Sequence, residues 1–397
     1  MKIIVHDYAG HPFQVQLSRK LAARGHNVLH LYCGSTHTPR GELARREDDP
    51  ANFQIRPITL DTMIPKNNFV RRYFMEKQYA AKLVAEVAAS GAEVILSGNT
   101  PSLAQEKLAR WCRGHNVRLV SWVQDVYGLA AYRMLRNKLP VVGTLVGKYF
   151  IALDKRAFRN SSAIVVISED FTDILASWGV DRQRIHTVHN WAPLDAMPER
   201  PRDNEWSRAH HLGNKLRFVY SGTLSMRHNP ALLLELARML QEKSLGELVV
   251  VSEGPGVEWL AAEAARQKIT ALQRLGFQPF EDLPDVLGSA DILVAILEPD
   301  AGVFCVPSKV LSYLCAGRPV LLAIPLENLV SRIVAHERAG MGVDPTDVEG
   351  FTAAALKLCD SPEFRHEAGR AARTYAETHF DIERIADRFE QICVIPY

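Results

Sequence analysis

Four stretches of the chain set small residues directly after apolar runs, and two of them add hydroxyls and cations, an arrangement that receives a phosphate. In Phe218-Val219-Tyr220-Ser221-Gly222-Thr223-Leu224-Ser225-Met226-Arg227, Gly222 and Thr223 let backbone N–H groups approach an anion, and Arg227 supplies a bidentate cation. The same residues suit an ordinary strand-to-helix turn, with Asn229 as cap and Pro230 at the first helical position. A second strand ends in Glu253-Gly254-Pro255-Gly256, without the G-x-G-x-x-G spacing of a dinucleotide site. A third ends in Gly276-Phe277-Gln278-Pro279, where a ring and backbone amides suit a nucleobase, although Phe277 equally suits a core. The fourth and longest block runs from Glu298 to Val320. Its loop holds Ala301, Gly302, Val303 and Phe304, and a helix opens near Ser308. A helix N-terminus carries about half a positive charge, worth roughly 0.3–1 kcal/mol to an exposed anion. The Ser308 hydroxyl and Lys309 reinforce it, and Gly317-Arg318-Pro319 stops the helix. This block reads as a diphosphate site, its length and order favouring that over a routine strand–helix–strand unit with a Ser cap.

The first half of the chain offers weaker signals. Gly10-His11, Asn99-Thr100 and Gln124-Asp125 each follow an apolar run, and each also suits a turn or a helix cap. Glu298-x-Asp300 looks like an acidic metal motif. Arg227, Lys309 and a helix end already supply the positive charge a diphosphate requires, so no metal and no cofactor are expected.

These residues need a scaffold that presents strand ends. Apolar, β-branched runs alternate with amphipathic stretches, the pattern of parallel sheets crossed by helices. In the first half strands are expected at 2–5, 28–32, 93–97, 118–123, 163–168 and 185–188. In the second they fall at 216–221, 247–252, 272–277, 291–297 and 319–323, with helices near 230–243, 256–268, 282–288 and 308–316. The Pro- and charge-rich stretch after Pro193 separates the two. The expectation is an α/β chain with Rossmann-like domains at 1–195 and 216–374, a linker at 196–215, and a tail at 375–397 that forms one amphipathic helix. Ligands in such sheets sit at the carboxyl ends of strands.

With 397 residues the chain suits two domains. At 47% hydrophobic and 23% charged it is neither disordered nor fibrous. A net charge of +2, from 47 basic and 45 acidic residues, creates no global field for nucleic acid. Six scattered cysteines without a C-x-x-C pair argue against zinc and suit a reducing cytoplasm. The apolar start is too short for a signal peptide, and Leu139 to Leu153 falls short of the ~20 residues a spanning helix needs. Residues 129–159 mix Tyr132, Val141, Leu145, Tyr149 and Phe150 with Arg133, Arg136, Lys138 and Lys148. Such a stretch rests on an anionic bilayer or folds as a hairpin against its own domain.

From Ser221 to Pro319 the order of elements resembles the second domain of retaining GT-B glycosyltransferases, and most of all the bacterial exopolysaccharide enzymes of the colanic-acid biosynthesis type. The resemblance extends over nearly the whole chain. It takes in Gly10-His11-Pro12-Phe13, Trp122-Val123-Gln124-Asp125 and Val188-His189-Asn190-Trp191, and its most specific part is the Pro-Ser-Lys block followed by Ala-Gly-Arg-Pro-Val. It implies that Gly222 and Arg227 contact a donor diphosphate, Arg227 standing where relatives often carry lysine. It puts Glu253 and Gly254 in the second glycine turn, Phe277 and Gln278 at the base, and the amides of Ala301 to Phe304 at the sugar and phosphates. Many relatives carry two glutamates separated by seven residues, the second on the donor ribose. Phe304 and Ser312 stand at those positions here, so UDP and GDP both stay open. Relatives place His-Asp where this chain has Gln124-Asp125, which makes Asp125 the candidate to orient the acceptor or stabilise charge at the anomeric carbon. Gly10, His11 and Asn99 would line the acceptor side. The implied activity is transfer of a sugar from a nucleotide donor to a lipid-linked saccharide, at the inner face of the cytoplasmic membrane. A sugar-nucleotide epimerase and a non-catalytic nucleotide-sugar sensor are the alternatives.

Overall fold

Valine, isoleucine and leucine run through the strands without alternation because helices cover both sheet faces. The computed structural model describes residues 1–36, 43–65, 68–303 and 305–395. They divide into two compact units, one formed by Met1–His189 together with the chain from Ile382 onward, the other by Asn190–Asp381.

In chain order the first unit contains β1 (Lys2–Asp7), α1 (Pro12–Ala23), β2 (Asn27–Cys33), β3 (Phe53–Ile58), α2 (Phe69–Ser90), β4 (Val94–Gly98), α3 (Ser102–Gly114), β5 (Arg118–Val123), α4 (Tyr127–Lys138), α5 (Pro140–Asn160), β6 (Ala163–Val166), α6 (Asp170–Ser177) and β7 (Ile185–Thr187). The strands pair in parallel in the order β3-β2-β1-β4-β5-β6-β7. The order reverses between β1 and β4, so the loops after these two strands diverge and leave room for a ligand. Strand β3 was not apparent in the sequence. It carries Gln54, Arg56 and Pro57, and a proline is tolerated there because β3 is a sheet edge.

The second unit contains α7 (Glu205–Ala209), β8 (Leu216–Ser221), α8 (Ala231–Glu242), β9 (Gly246–Val251), α9 (Pro255–Arg266), β10 (Leu272–Leu275), α10 (Leu283–Gly288), β11 (Ile292–Ile296), α11 (Ser308–Cys315), β12 (Val320–Ala323), α12 (Leu329–Glu337), β13 (Gly340–Val343), α13 (Val348–Asp360) and α14 (Pro362–His379). Its sheet order is β10-β9-β8-β11-β12-β13, again reversing beside the first strand. Phe218, Tyr220, Leu236, Val250, Val294 and Phe351 lie in its core.

Residues 196–215 are not a free linker. Trp206 of α7 is buried, Arg202 pairs with Asp291 at 2.8 Å, and Asn204 donates to the carbonyl of Asp285 at 2.8 Å, so the stretch is part of the second unit. The tail is two helices, since α14 ends at His379 and a new helix, α15 (Ile382–Val394), begins after Phe380-Asp381. Helix α15 packs on α1. Phe389 lies 4.6 Å from the ring of Trp122, and Arg24 pairs with Glu383, Asp387 and Glu390 at 2.6–2.8 Å.

Candidate functional site

Strand β8 ends at Ser221, and its backbone is tied to α11 from both sides. The Tyr313 hydroxyl accepts from the Ser221 N–H at 2.9 Å and donates to the Ser221 carbonyl at 2.8 Å. This clamp brings the start of α11 against Gly222. Gly222 has φ +123°, and a Cβ there would stand 3.2 Å from both Cε and Nζ of Lys309. The glycine is therefore needed twice, for the turn and for the passage of the lysine. The Lys309 ammonium donates to the Tyr220 hydroxyl at 2.6 Å, and sits 4.1 Å from the centre of that ring. The Tyr220 hydroxyl in turn donates to the Thr223 carbonyl at 2.7 Å. None of these partners is an acid, and burial pushes the ammonium down to about 7. No side chain caps α11, whose Pro307 precedes the exposed Ser308. A half-buried cation lacking a counter-charge beside an uncapped helix start is a receptor for an anion.

Arg227 lies in a short 3-10 turn, Met226–His228, with its guanidinium 3.5 Å from the carboxylates of Glu298 and Asp300. Its side chain is 68% exposed, so contact with solvent outweighs these long ion pairs. His228 faces Glu298 at 3.5 Å, and burial together with Lys309 holds it below its ordinary value. Glu298 and Asp300 thus face cations, and among the described residues no three His, Cys, Asp or Glu side chains cluster as metal ligands.

The base-side residues are more committed than the sequence suggested. The Glu253 carboxylate accepts from the Phe277 N–H at 3.1 Å. The Gln278 carbonyl oxygen accepts from Trp206 Nε1 at 2.9 Å, a partner drawn from the presumed linker. Strand β10 stops at Leu275, and the Phe277 ring is 48% exposed, which removes it from the core. Gly254 has φ +113°, but the closest packing falls at Gly256, where a Cβ would meet the Leu224 carbonyl at 2.6 Å. In the loop before α11, Gly302 has φ +50° and Val303 follows it in a turn, after the short 3-10 turn that Ala301 closes. Phe304 lies outside the described residues. Ser312 stands one turn beyond Ser308 on α11. The sequence reading missed Asn328. This buried side chain donates to the carbonyls of Gly302 at 2.6 Å and Cys305 at 2.7 Å, and so fixes the loop from behind. The signal for it was only its place as the cap of α12, where it accepts from Val330 N–H.

In the first unit the turn after β1 wraps a carboxylate that the sequence reading passed over. Fully buried Asp7 accepts from the backbone N–H groups of Ala9 and His11 and from the Gln14 amide. Gly10, at φ +82°, makes that turn. The His11 ring stands 3.4 Å from Asp7. Burial works against a charge on His11, yet Asp7, and beyond it Asp125, hold the imidazole above its ordinary value. Asp125 itself is pushed up to about 6 by burial, with His11 opposing. Asp125 shares a cavity of about 20 Å³ with Asn99, Gln124, Tyr127 and Asp154, and ~10–15 Å³ accommodates one water. Asn99 has φ +52° and accepts from the Tyr127 hydroxyl at 2.5 Å. The acceptor-side candidates thus gather at the carboxyl edge of β1, β4 and β5.

Residues 129–159 form the tightly packed hairpin of α4 and α5. Gly143 and Gly147 are contact points, since a Cβ at Gly143 would run into the Leu135 carbonyl and one at Gly147 would stand 2.5 Å from Tyr132 Cα. Yet the outer face is apolar: Val141 is 76% exposed, and Leu139, Val142, Leu145 and Tyr149 are exposed beside it. The start of α2 adds exposed Phe69, Val70 and Phe74, joined to the hairpin where the Tyr73 and Tyr149 hydroxyls meet at 3.5 Å. No described helix is long and apolar enough to cross a membrane.

Residues 14–196 match the model of Glycosyltransferase Family 4, and residues 215–361 match that of Glycosyl transferases group 1. The probable glycosyltransferase WbjE of Pseudomonas aeruginosa is 19% identical over 271 residues, which span 68% of this chain and 66% of that one. Among solved structures, sucrose-phosphate synthase from Thermosynechococcus elongatus shares 16% identity at a TM-score of 0.73, over 99% of this chain and 98% of its own. HepE from Anabaena, solved in complex with UDP-glucose, shares 15% identity at a TM-score of 0.71, over 98% of both chains. At such identities the likeness is one of fold, and that fold is GT-B.

Proposed function

We propose that this chain, a glycosyltransferase of GT-B type, moves a sugar from a UDP- or GDP-linked donor to a hydroxyl of a lipid-linked saccharide during assembly of a surface polysaccharide of the exopolysaccharide (colanic-acid) type, with retention at the anomeric carbon. The observation that carries this reading is Lys309, a half-buried cation without an acid partner, lying over Gly222 at an uncapped helix start. A diphosphate supplies the missing negative charge and becomes more negative as it departs. Preorganised positive charge at that point lowers the barrier to its departure. Arg227 exchanges its long contacts with Glu298 and Asp300 for the phosphates, the amides at Ala301 to Val303 follow, and the exposed Phe277 ring stacks on the base. Glu253, Gly254 and Gln278 shape the base side, and Ser312 takes the ribose.

Among the described donor-side residues, Glu253 accepts from the Phe277 N–H, and Glu298 and Asp300 face the Arg227 guanidinium, so none stands out as a nucleophile. This supports a reaction that runs on one face of the sugar. The bond from the anomeric carbon to the phosphate oxygen breaks, the bond to the acceptor oxygen forms on the same side, and the leaving phosphate takes the acceptor's proton. Asp125 orients the acceptor hydroxyl or stabilises the positive charge at the anomeric carbon, with Gly10, His11 and Asn99 around it. The cations already present serve where a metal would, so the reaction is expected to proceed without one. The apolar outer face of α4 and α5, with Arg133, Arg136 and Lys148, rests on an anionic bilayer at the inner surface of the cytoplasmic membrane.

The deciding experiment incubates the protein with UDP- and GDP-sugars, each with and without bacterial lipid extract, in the presence of a chelator. Sugar transfer to lipid, with the anomeric configuration of the donor kept in the product, is expected. Interconversion of the donor sugar without acceptor, or binding without turnover, would overturn the reading.

A further inference from the structure

A second polar cavity in the first unit, of about 780 Å³, opens at the start of β5. Strand β5 is six residues long, so this cavity lies ~20 Å from Asp125, at the amino edge of the same sheet. Four arginines line it: Arg113 at the end of α3, Arg118 at the start of β5, Arg159 at the end of α5, and Arg184 just before β7. Asn160 and Ser162 complete the polar wall, and no Asp or Glu lines it among the described residues.

The way these arginines are held matters more than their number. Arg113 donates to the Asn160 side-chain oxygen at 2.6 Å. Arg159 donates through Nε to the Trp178 carbonyl at 2.7 Å. Arg184 donates through one terminal nitrogen to the carbonyls of Ser161 at 2.9 Å and Arg159 at 3.3 Å. Each partner is an uncharged oxygen, so position is fixed while charge is not neutralised. A guanidinium has five N–H donors, and each of the three commits only one nitrogen here. Several surface arginines elsewhere in the chain are instead met by acids, as Arg110 is by Glu106, Arg238 by Glu235 and Arg266 by Glu263. Like charges in one cavity repel, and a multivalent anion that accepts several N–H bonds at once is the group that relieves them.

We propose that this cavity binds a small, multiply charged anion of the phosphate class, at a site separate from the transfer chemistry. Arg113, Arg159 and Arg184 supply the charge, and Asn160 and Ser162 supply neutral hydrogen bonds. The site does not depend on which donor or acceptor the enzyme uses.

Inorganic pyrophosphate is the probe. It is titrated at low salt into the full chain carrying Lys309→Ala, which weakens the donor-side anion receptor, and binding is followed by calorimetry and by peptide-resolved hydrogen exchange. The expected result is saturable binding that slows exchange in the segments around residues 113–118, 159–162 and 182–185. Adding Arg113→Gln and Arg159→Gln should weaken that binding at least tenfold, while Arg113→Lys alone weakens it less than Arg113→Gln. The melting temperature of each variant shows that the fold is kept. Exchange protection confined to the second unit, or an affinity unmoved by the two arginine substitutions, would overturn the proposal.

Discussion

Lys309 and Gly222 stand in a fixed relationship. The lysine side chain lies across the glycine so closely that any Cβ would come within 3.2 Å of its Cε and Nζ. The two residues are 87 positions apart in sequence; β8 pairs with β11, and Tyr313 ties α11 to the end of β8 on both sides of Ser221. Position 222 therefore reports on the lysine as well as on the turn.

Gly222→Ala is expected to damage donor binding before it damages the fold. Strain at a positive φ costs about 1–3 kcal/mol, and the displaced lysine loses its place over the turn. The affinity for UDP should fall roughly tenfold, since ~1.4 kcal/mol is a factor of ten. The melting temperature should drop by only a few degrees. Calorimetry and thermal unfolding measure the two together, and unchanged affinity would show that the lysine is not held there.

The charge of Lys309 gives donor binding a pH dependence of definite sign. Its ammonium loses its proton near pH 7 in the free protein, so a growing share of the protein is neutral there as pH rises. Nucleoside diphosphate affinity should weaken above about pH 7, by up to ~10-fold per pH unit. In Lys309→Gln the affinity should be lower, and nearly flat over the same range.

Asp125 should show the converse signature in stability. Its carboxyl is pushed up to about 6, from 3.8 in the unfolded chain. Between these values the folded state holds the proton more tightly, so this group's contribution falls as pH rises from about 4 to 6. Asn cannot titrate. The melting temperature of Asp125→Asn relative to the parent should therefore climb over that interval and level off above it, while transferase activity falls. A constant difference at all pH values would mean that Asp125 titrates normally.

The exposed face of α4 and α5 predicts salt-sensitive sedimentation with anionic vesicles. Each cation near such a surface contributes about 1 kcal/mol. Replacing Arg133, Arg136 and Lys148 by Gln should reduce binding by one to two orders of magnitude, without changing sedimentation with neutral vesicles. Equal binding by parent and variant would remove the bilayer from the account.

Much of the scaffold was legible because parallel strands buried on both faces leave continuous apolar runs, as in β5 and β8. Strand β3 was hidden because an edge strand tolerates Arg56 and Pro57. Strand β13, Gly-Met-Gly-Val, is short and half-buried and carries no such run. The donor site showed in Gly222, Lys309 and the helix start because each carries its own short-range signal, a glycine turn after a strand or a helix opening after a loop, although Gly222 and Lys309 lie 87 positions apart. What the sequence hid is what distant residues impose: Asn328 behind the loop at Gly302, Trp206 on Gln278, and Asp7 under His11. A hydrogen bond between segments tens of residues apart leaves no periodicity to read.

The central claim is that a diphosphate is received where Lys309, Gly222 and the start of α11 meet. A crystal of the protein soaked with UDP tests it directly. Phosphate density is expected within hydrogen-bond reach of the Lys309 ammonium and the first amides of α11, with the ammonium drawn off Tyr220. A diphosphate bound elsewhere, with Lys309 still on Tyr220 and the helix start empty, would contradict it.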